Sequence, residues 1–546
     1  MIRILIFLFA LLLFGPLSAQ NSPKPKLVVG IVIDQMRQDY LDRFDAHFGE
    51  EGFKRIREGG YDLKNAHFNY VPTETGPGHA SVYTGSTPSL HGIIANQWYV
   101  RGANASINCV EDSSVTGVGS GKGTGNRSPK NLIVNTLTDQ LKNFSKGKAK
   151  VVSISIKDRG AILPGGHEPD GAYWYDHSNG EFMTSSYYMD QLPGWLREFN
   201  QRKLADQYMS MSWDTYKPIE TYVESEQDNR PYEKALHASL DPVFPYDLEA
   251  VSKKRNKYGL VPDTPFGNTL ITELALAALK KEQLGQTDQT DFLAISYSAT
   301  DYIGHDYGPM SKEIQDTYIR MDQELARIFR ELDKNVGVGQ WSMFLTADHG
   351  VVEIPQSLMS KNISAGYLNR KEISTRIIDF VKSRNGGKNL VEKVYGNQIF
   401  LDQAGLSNLN DNGSQLTADL IEYLENQEGI AKAIRLNDHV NYAGEDLHLK
   451  LVKAGLNQER SGDILYFLES GWLEEYYEDG GTGHGSYYEY DTHVPMIFYG
   501  SGIVKGSDSD YHPIIDITPT IAQLLGLKLP ESCMGQPVST ALLSGK

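Results

Sequence analysis

Three acid-bearing segments define the chemistry this chain can do, and each follows an apolar run. Leu27-Val-Val-Gly-Ile-Val-Ile33 runs into Asp34. Phe292-Leu-Ala-Ile-Ser-Tyr297 leads to Asp301-Tyr-Ile-Gly-His305, and Met343-Phe-Leu-Thr346 leads to Asp348-His349. Carboxylate oxygens and imidazole nitrogens together suit zinc and related divalent ions. The only cysteines, Cys109 and Cys533, are far apart and form no Cys-x-x-Cys. A thiolate cage is therefore excluded, and any metal must rest on Asp and His. Sequence alone leaves open whether the two cysteines pair.

A fourth segment offers a nucleophile. Val71-Pro-Thr-Glu-Thr-Gly-Pro-Gly-His-Ala-Ser-Val-Tyr-Thr-Gly85 reads as a loop feeding a helix, with Thr75 where the helix begins. A helix amino terminus holds anions and favours an ionised oxygen. A threonine hydroxyl attacks only after a base or a metal lowers its pKa. Alone, Thr75 is better read as a helix cap. Beside three metal-type clusters it reads as a nucleophile sharing a metal with Asp34.

These residues need a scaffold that brings them to one edge. In open α/β sheets ligands gather at the carboxyl ends of strands. Strands and helices alternate along the chain, which predicts a three-layer α/β/α sandwich with a mostly parallel central sheet. Val151–Ser155 is a further strand, ending near Lys157 and Arg159. Ile314, Tyr318, Met321, Leu325, Ile328 and Leu332 recur at steps of four and three, an amphipathic helix whose apolar face is core. Residues 269–284 predict a second helix. A strand around 494–499 precedes a helix over 516–525, capped at Thr518 with Pro519 in its first turn. Residues 165–287 and 353–479 break the alternation and read as insertions forming a cap over the site.

The bulk numbers narrow the function classes. The chain has 546 residues, 40% hydrophobic and 22% charged, ordinary for a folded soluble protein. A net charge of -17 argues against a nucleic-acid partner, which needs a basic face, but leaves room for small phosphate substrates. Arg3 precedes an apolar run from Ile4 to Phe14, broken by Gly15-Pro16 and followed by Leu17-Ser18-Ala19. The run is short of the ~20 residues of a membrane span. It reads as a secretory signal over 1–19, leaving 20–546 as a single catalytic domain with no membrane span.

Taken in order, the segments around Asp34, Thr75, His91-Gly-Ile-Ile-Ala-Asn96, Lys157-Asp-Arg159, Asp301 to His305, Ala347-Asp-His-Gly350 and Gly483-His484-Gly485 resemble the alkaline phosphatase superfamily. Thr75 with Lys157-Asp-Arg159 resembles its PafA-type periplasmic branch. The resemblance runs from about Lys26 to the carboxyl terminus. It implies two Zn²⁺ ions, one on Asp301, His305 and His484, the other on Asp34, Asp348, His349 and Thr75. It implies Asn96, Lys157 and Arg159 as holders of the phosphoryl oxygens, and a phosphothreonine intermediate on Thr75. Glu74, directly before the nucleophile, would repel phosphate if it faced the site and is expected to point away.

The implied protein is a periplasmic, monomeric phosphomonoesterase. A phosphodiesterase or nucleotide pyrophosphatase on the same scaffold is the alternative, since those enzymes share the nucleophile and the six protein ligands. Lys157 and Arg159 supply two positive charges, which match a monoester dianion better than a diester monoanion. A non-catalytic binding protein would have no use for Thr75. Other residues take plainer readings. His79, a turn after Thr75, is a packing or supporting residue; His91 and His493 are structural; His167 and Asp158 orient neighbours. Tyr173-Trp174-Tyr175 reads as core.

Overall fold

The structure is a computed structural model and describes residues 24–119, 125–409, 411–439 and 442–543. The amino-terminal signal expected over 1–19 lies outside the described residues.

The seven residues Leu27–Ile33 are all buried, and the strand they form has neighbours on both sides. It pairs in parallel with Asp291–Tyr297 and with Trp341–Thr346. The register makes Val32 level with both Ser296 and Thr346, so the three strands leave the sheet at one edge. That alignment is what brings Asp34, Asp301 and Asp348 together. Val151–Ser155 adds on the far side of Asp291–Tyr297, and Gly171–Asp176 beyond it, both parallel. Unbroken Val/Ile/Leu runs are the signature of such strands, covered on both faces by helices.

Among the described residues the sheet has 11 strands. On the other flank His493–Gly500 runs antiparallel to Trp341–Thr346 and to Tyr61–His67. Helix Phe266–Lys281 packs on Asp291–Tyr297 and against helix Lys312–Leu332. The longer helix starts at Ser311, whose side chain accepts the Ile314 N–H. Helix Ile517–Leu525 is not capped by Thr518: that hydroxyl donates instead to Val82 O at 2.8 Å, tying this helix to Thr75–Thr84.

The two stretches read as cap insertions differ in kind. Residues 165–287 put Gly171–Asp176 and Glu181–Ser185 into the main sheet. Tyr173, Tyr175 and Phe182 join its main core, while Ala172, Trp174 and Met183 pack in a second cluster with Ile162 and Trp98. They are part of the sandwich. Tyr173, Trp174 and Tyr175 are buried there as core residues. The second stretch holds a four-stranded sheet of Val391–Tyr395, Gln398–Leu401, Ile464–Leu468 and Ile430–Arg435. This sheet has a hydrophobic core of its own around Ile377, Ile399, Leu420 and Tyr466.

Both cysteines are free. A Cβ at Gly76 would lie 3.0 Å from Cys109 Sγ, and one at Gly85 would lie 2.6 Å from Cys533 Sγ. They therefore sit at opposite ends of helix Thr75–Thr84, too far apart for a disulfide.

Candidate active site

Helix Thr75–Thr84 is buried along its whole length, ends in the left-handed Gly85, and lies against the edge where the three strands terminate. Its approach is close: a Cβ at Gly78 would fall 2.3 Å from Asp348 O, so only glycine fits. Thr75 is the first residue of the helix.

One side chain joins the nucleophile to the acids. Lys157 Nζ lies 2.8 Å from Asp34 Oδ2, 2.6 Å from Asp301 Oδ2 and 3.2 Å from Thr75 Oγ1. Burial works to lower the Lys157 pKa, but the carboxylates of Asp301 and Asp34 outweigh it and raise the pKa above its usual range. Burial, and then the charge of Asp348, push Asp34 well above the ordinary carboxylate range. Burial raises Asp348 to about 6. Asp301 goes the other way: burial is outweighed by His305 and Lys157, and it stays well below normal.

The histidines are oriented from behind. His305 Nδ1 donates to Thr482 O at 2.7 Å, His484 Nδ1 to Thr73 O at 2.8 Å, and His349 Nδ1 to Gly350 O at 2.9 Å. Each such bond fixes the tautomer and leaves the Nε2 lone pair for a ligand. All three Nε2 atoms face carboxylates. His305 Nε2 is 3.2 Å and His484 Nε2 3.7 Å from Asp301 Oδ1, and His349 Nε2 is 3.5 Å from Asp34 Oδ1.

This donor set fits metal ions. Asp301, His305 and His484 place ligand atoms within 4.8 Å of one another, and so do Asp34, Asp301 and His349. Lys157 already pairs with Asp34 Oδ2. Asp34 Oδ1, Asp348 Oδ2 and His349 Nε2 are buried and left without a hydrogen bond. That is costly for buried polar atoms, and a divalent ion would satisfy them. Asp301 stands between the two groups. Asp348 Oδ1 lies 3.8 Å from His349 Nε2 and accepts the Gln35 N–H at 3.1 Å.

Gln35 is a residue that sequence reasoning overlooks. Its amide Nε2 donates to Asp301 Oδ1 at 2.7 Å, so it ties Asp301 to Asp348 from the residue after Asp34. It does so from a left-handed backbone conformation, φ 64°. Strained non-glycine residues gather at functional sites. Nothing about a glutamine in that position signals the role.

On the substrate side, Asn96, Arg159, Glu74 and His484 line one cavity of about 770 Å³ between the sandwich and the four-stranded unit. Arg159 is half-buried; its neighbour Asp158 is held by Arg127 Nε at 2.7 Å. Glu74 does not point away from the site. It lines this cavity, with Oε2 accepting the Asn96 N–H at 2.6 Å.

The remaining histidines keep their plain readings. His79 Nδ1 donates to Thr75 O at 2.9 Å and lies 3.3 Å from Asp348 Oδ2, a supporting position. His91 is buried against Ser81, His167 pairs with Asp139, and His493 stacks on His67.

A sequence profile of the Type I phosphodiesterase / nucleotide pyrophosphatase family matches residues 28–493. The chain belongs to this family of the alkaline phosphatase superfamily. Alkaline phosphatase PhoV of Synechococcus elongatus is 40% identical over 527 residues, covering 96% of this chain and 94% of that one. Alkaline phosphatase PafA of Elizabethkingia meningoseptica is 38% identical over 539 residues, covering 97% and 98%. A Myroides odoratus protein named calcium-transporting ATPase is 39% identical over 531 residues, covering 97% of each. Among the described residues of this chain, no helix is long and apolar enough to cross a membrane. The crystal structure of PafA superposes with a TM-score of 0.91 at 37% identity, covering 95% of this chain and 99% of that one. The alkaline phosphatase superfamily sandwich thus accounts for nearly the whole described chain.

Proposed function

We propose that the protein is an exported alkaline phosphatase that hydrolyses phosphate monoesters by two displacements through Thr75. The observation that carries this reading is the Lys157 ammonium in contact with Thr75 Oγ1, Asp34 and Asp301 at once. Two zinc ions, one on Asp301, His305 and His484 and one on Asp34, Asp348, His349 and Thr75, would supply Lewis acidity for the attacking and leaving oxygens.

The chain's own residues do the rest. The helix amino terminus and the Lys157 ammonium favour the ionised form of Thr75 Oγ1. Arg159 and Asn96, lining the cavity next to Thr75, hold the non-bridging oxygens and turn phosphorus in line with Oγ1. The guanidinium can take two of those oxygens at once. Attack forms a phosphothreonine and releases the alcohol into the cavity. A water then attacks phosphorus from the side the alcohol left and gives up a proton; the bond to Thr75 Oγ1 breaks, the threonine oxygen is regenerated, and inorganic phosphate departs. The transition state of phosphoryl transfer is loose, so positioning and charge do most of the work. The combined charge of Lys157 and Arg159 favours a dianionic monoester over a monoanionic diester. Export to the periplasm rests on Arg3 and the apolar run Ile4–Phe14.

The test is kcat/KM of the zinc-loaded protein on an aryl phosphate monoester and on its methyl diester, with metal content measured on the same sample. A monoester preference of at least ~10²-fold, with two zinc ions per chain, is expected. A diester preference would overturn the assignment.

A further inference from the structure

The residues on either side of Thr75 are both tied to Asn96. Glu74 Oε2 accepts the Asn96 backbone N–H at 2.6 Å, and Asn96 Oδ1 accepts the Gly76 backbone N–H at 2.7 Å. We propose that Glu74 is the positioning residue of the phosphoryl site: through this reciprocal clamp it sets both the place of Asn96 and the turn that carries the nucleophile. The inference rests on the reading above in which Asn96 holds a phosphoryl oxygen.

The clamp decides what Asn96 can do. A backbone N–H only donates, so the Gly76 contact consumes the amide oxygen and fixes the orientation of the side chain. What is left for the substrate is Nδ2, a donor. The flipped amide would present an oxygen to phosphate and repel it. Gly76 is the second residue of its helix, one of the first four whose N–H lacks an intrahelical acceptor. Asn96 therefore completes the helix start at the same time as it is oriented by it. The Glu74 carboxylate closes the loop with a charge-assisted bond, stronger than a neutral one.

A carboxylate in this cavity otherwise works against the chemistry, since it faces the space a phosphate dianion would enter. Its retention makes sense where its hydrogen bond is needed. Burial raises the Glu74 pKa, while the Asn96 N–H and the nearby Arg159 favour the ionised acceptor. Arg159 also offsets the charge.

The test is a double-mutant cycle on the zinc-loaded enzyme, read as kcat/KM for an aryl monoester. Glu74→Ala should lose roughly 10–10²-fold and Asn96→Ala about 10²-fold, the cost of one stabilising group. The double variant should fall no more than ~3-fold below Asn96→Ala, because residues in one network are not additive. Glu74→Gln, whose amide oxygen can accept the same N–H, should recover most of the loss. Glu74→Asp is too short to reach and should behave as Glu74→Ala, which keeps the cycle usable if the alanine variant does not fold. Losses that multiply in the double variant would overturn the clamp, as would Glu74→Gln as impaired as Glu74→Ala. A wild-type enzyme inactive on the monoester would instead sink the phosphatase reading, before any variant is compared.

Discussion

His349 and His484 stack ring on ring, with centroids 3.5 Å apart and planes 15° from parallel. Two imidazolium rings could not hold that arrangement. Burial pushes His349 down to about 3, and burial followed by the proximity of His349 lowers His484 well below its usual range. Both rings are thus neutral at working pH, with Nδ1–H turned to backbone carbonyls. They are ligands that need lose no proton before binding a metal.

Removal of metal is therefore expected to abolish turnover without unfolding the chain, and zinc should restore it. Ligand linkage predicts a stabilisation of about 3–4 kcal/mol at 100 to 1,000 times the dissociation constant. Thermal unfolding of chelator-treated protein with and without added zinc measures it. An unchanged Tm would speak against ion binding at these clusters.

Lys157→Met should expose the role of the ammonium. In the metal-free protein it leaves buried Asp34 without its cation and Asp301 with His305 alone, and breaking such a buried pair typically costs about 3–5 kcal/mol. Zinc supplies the missing charge, so the loaded variant should recover most of that stability while remaining nearly inactive. Urea unfolding of both forms is the measurement; equal losses with and without zinc would contradict the account.

His79 braces the nucleophile's turn from behind, its Nδ1–H donating to Thr75 O at 2.9 Å. His79→Leu removes that support. The loss of such an outer partner typically weakens metal affinity about 10–100-fold. Competition against a zinc-binding dye should show the shift; unchanged affinity would make His79 a packing residue only.

His91 gives a pH signature away from the metal ligands. Its Nδ1 accepts the Ile93 N–H at 3.1 Å, so Nε2 carries the proton and donates to Ser81 Oγ at 2.9 Å. Burial, then Arg460, push its pKa down to about 3. The unfolded state therefore binds the extra proton first, and stability falls as pH drops below about 6.5. The contribution lost by pH 5 is about 2 kcal/mol. His91→Gln should lose less stability than wild type between pH 7 and pH 5 by urea unfolding. An identical pH slope in both would refute it.

The parts of this molecule written plainly in its sequence are those where local pattern and global position agree. Leu27–Ile33, Val151–Ser155 and Asp291–Tyr297 are unbroken apolar runs because both faces are covered, and the acids stand at their ends because parallel register brings those ends level. Direction is not encoded locally, so nothing in Val494–Tyr499 shows that its strand runs antiparallel. Gly171–Asp176 hides from pattern reading because it is buried on both faces, so its aromatic run shows no alternation to mark a strand. Thr518 has the composition of a cap, but a distant carbonyl, Val82 O, claims its hydroxyl. Gln35 and Glu74 were illegible for a shared reason. Each acts by bonding to residues remote in sequence or to backbone, and neither residue type announces it.

The most direct test of the central claim is rapid acid quench of the zinc-loaded enzyme during turnover of a phosphate monoester, followed by mass spectrometry of its peptides. The account predicts one phosphoryl group, on the peptide carrying Thr75 and at that residue, and none in Thr75→Ala, whose turnover should fall by more than ~10³-fold. An unmodified Thr75 in the quenched wild type, together with a Thr75→Ala enzyme that retains its rate, would contradict it.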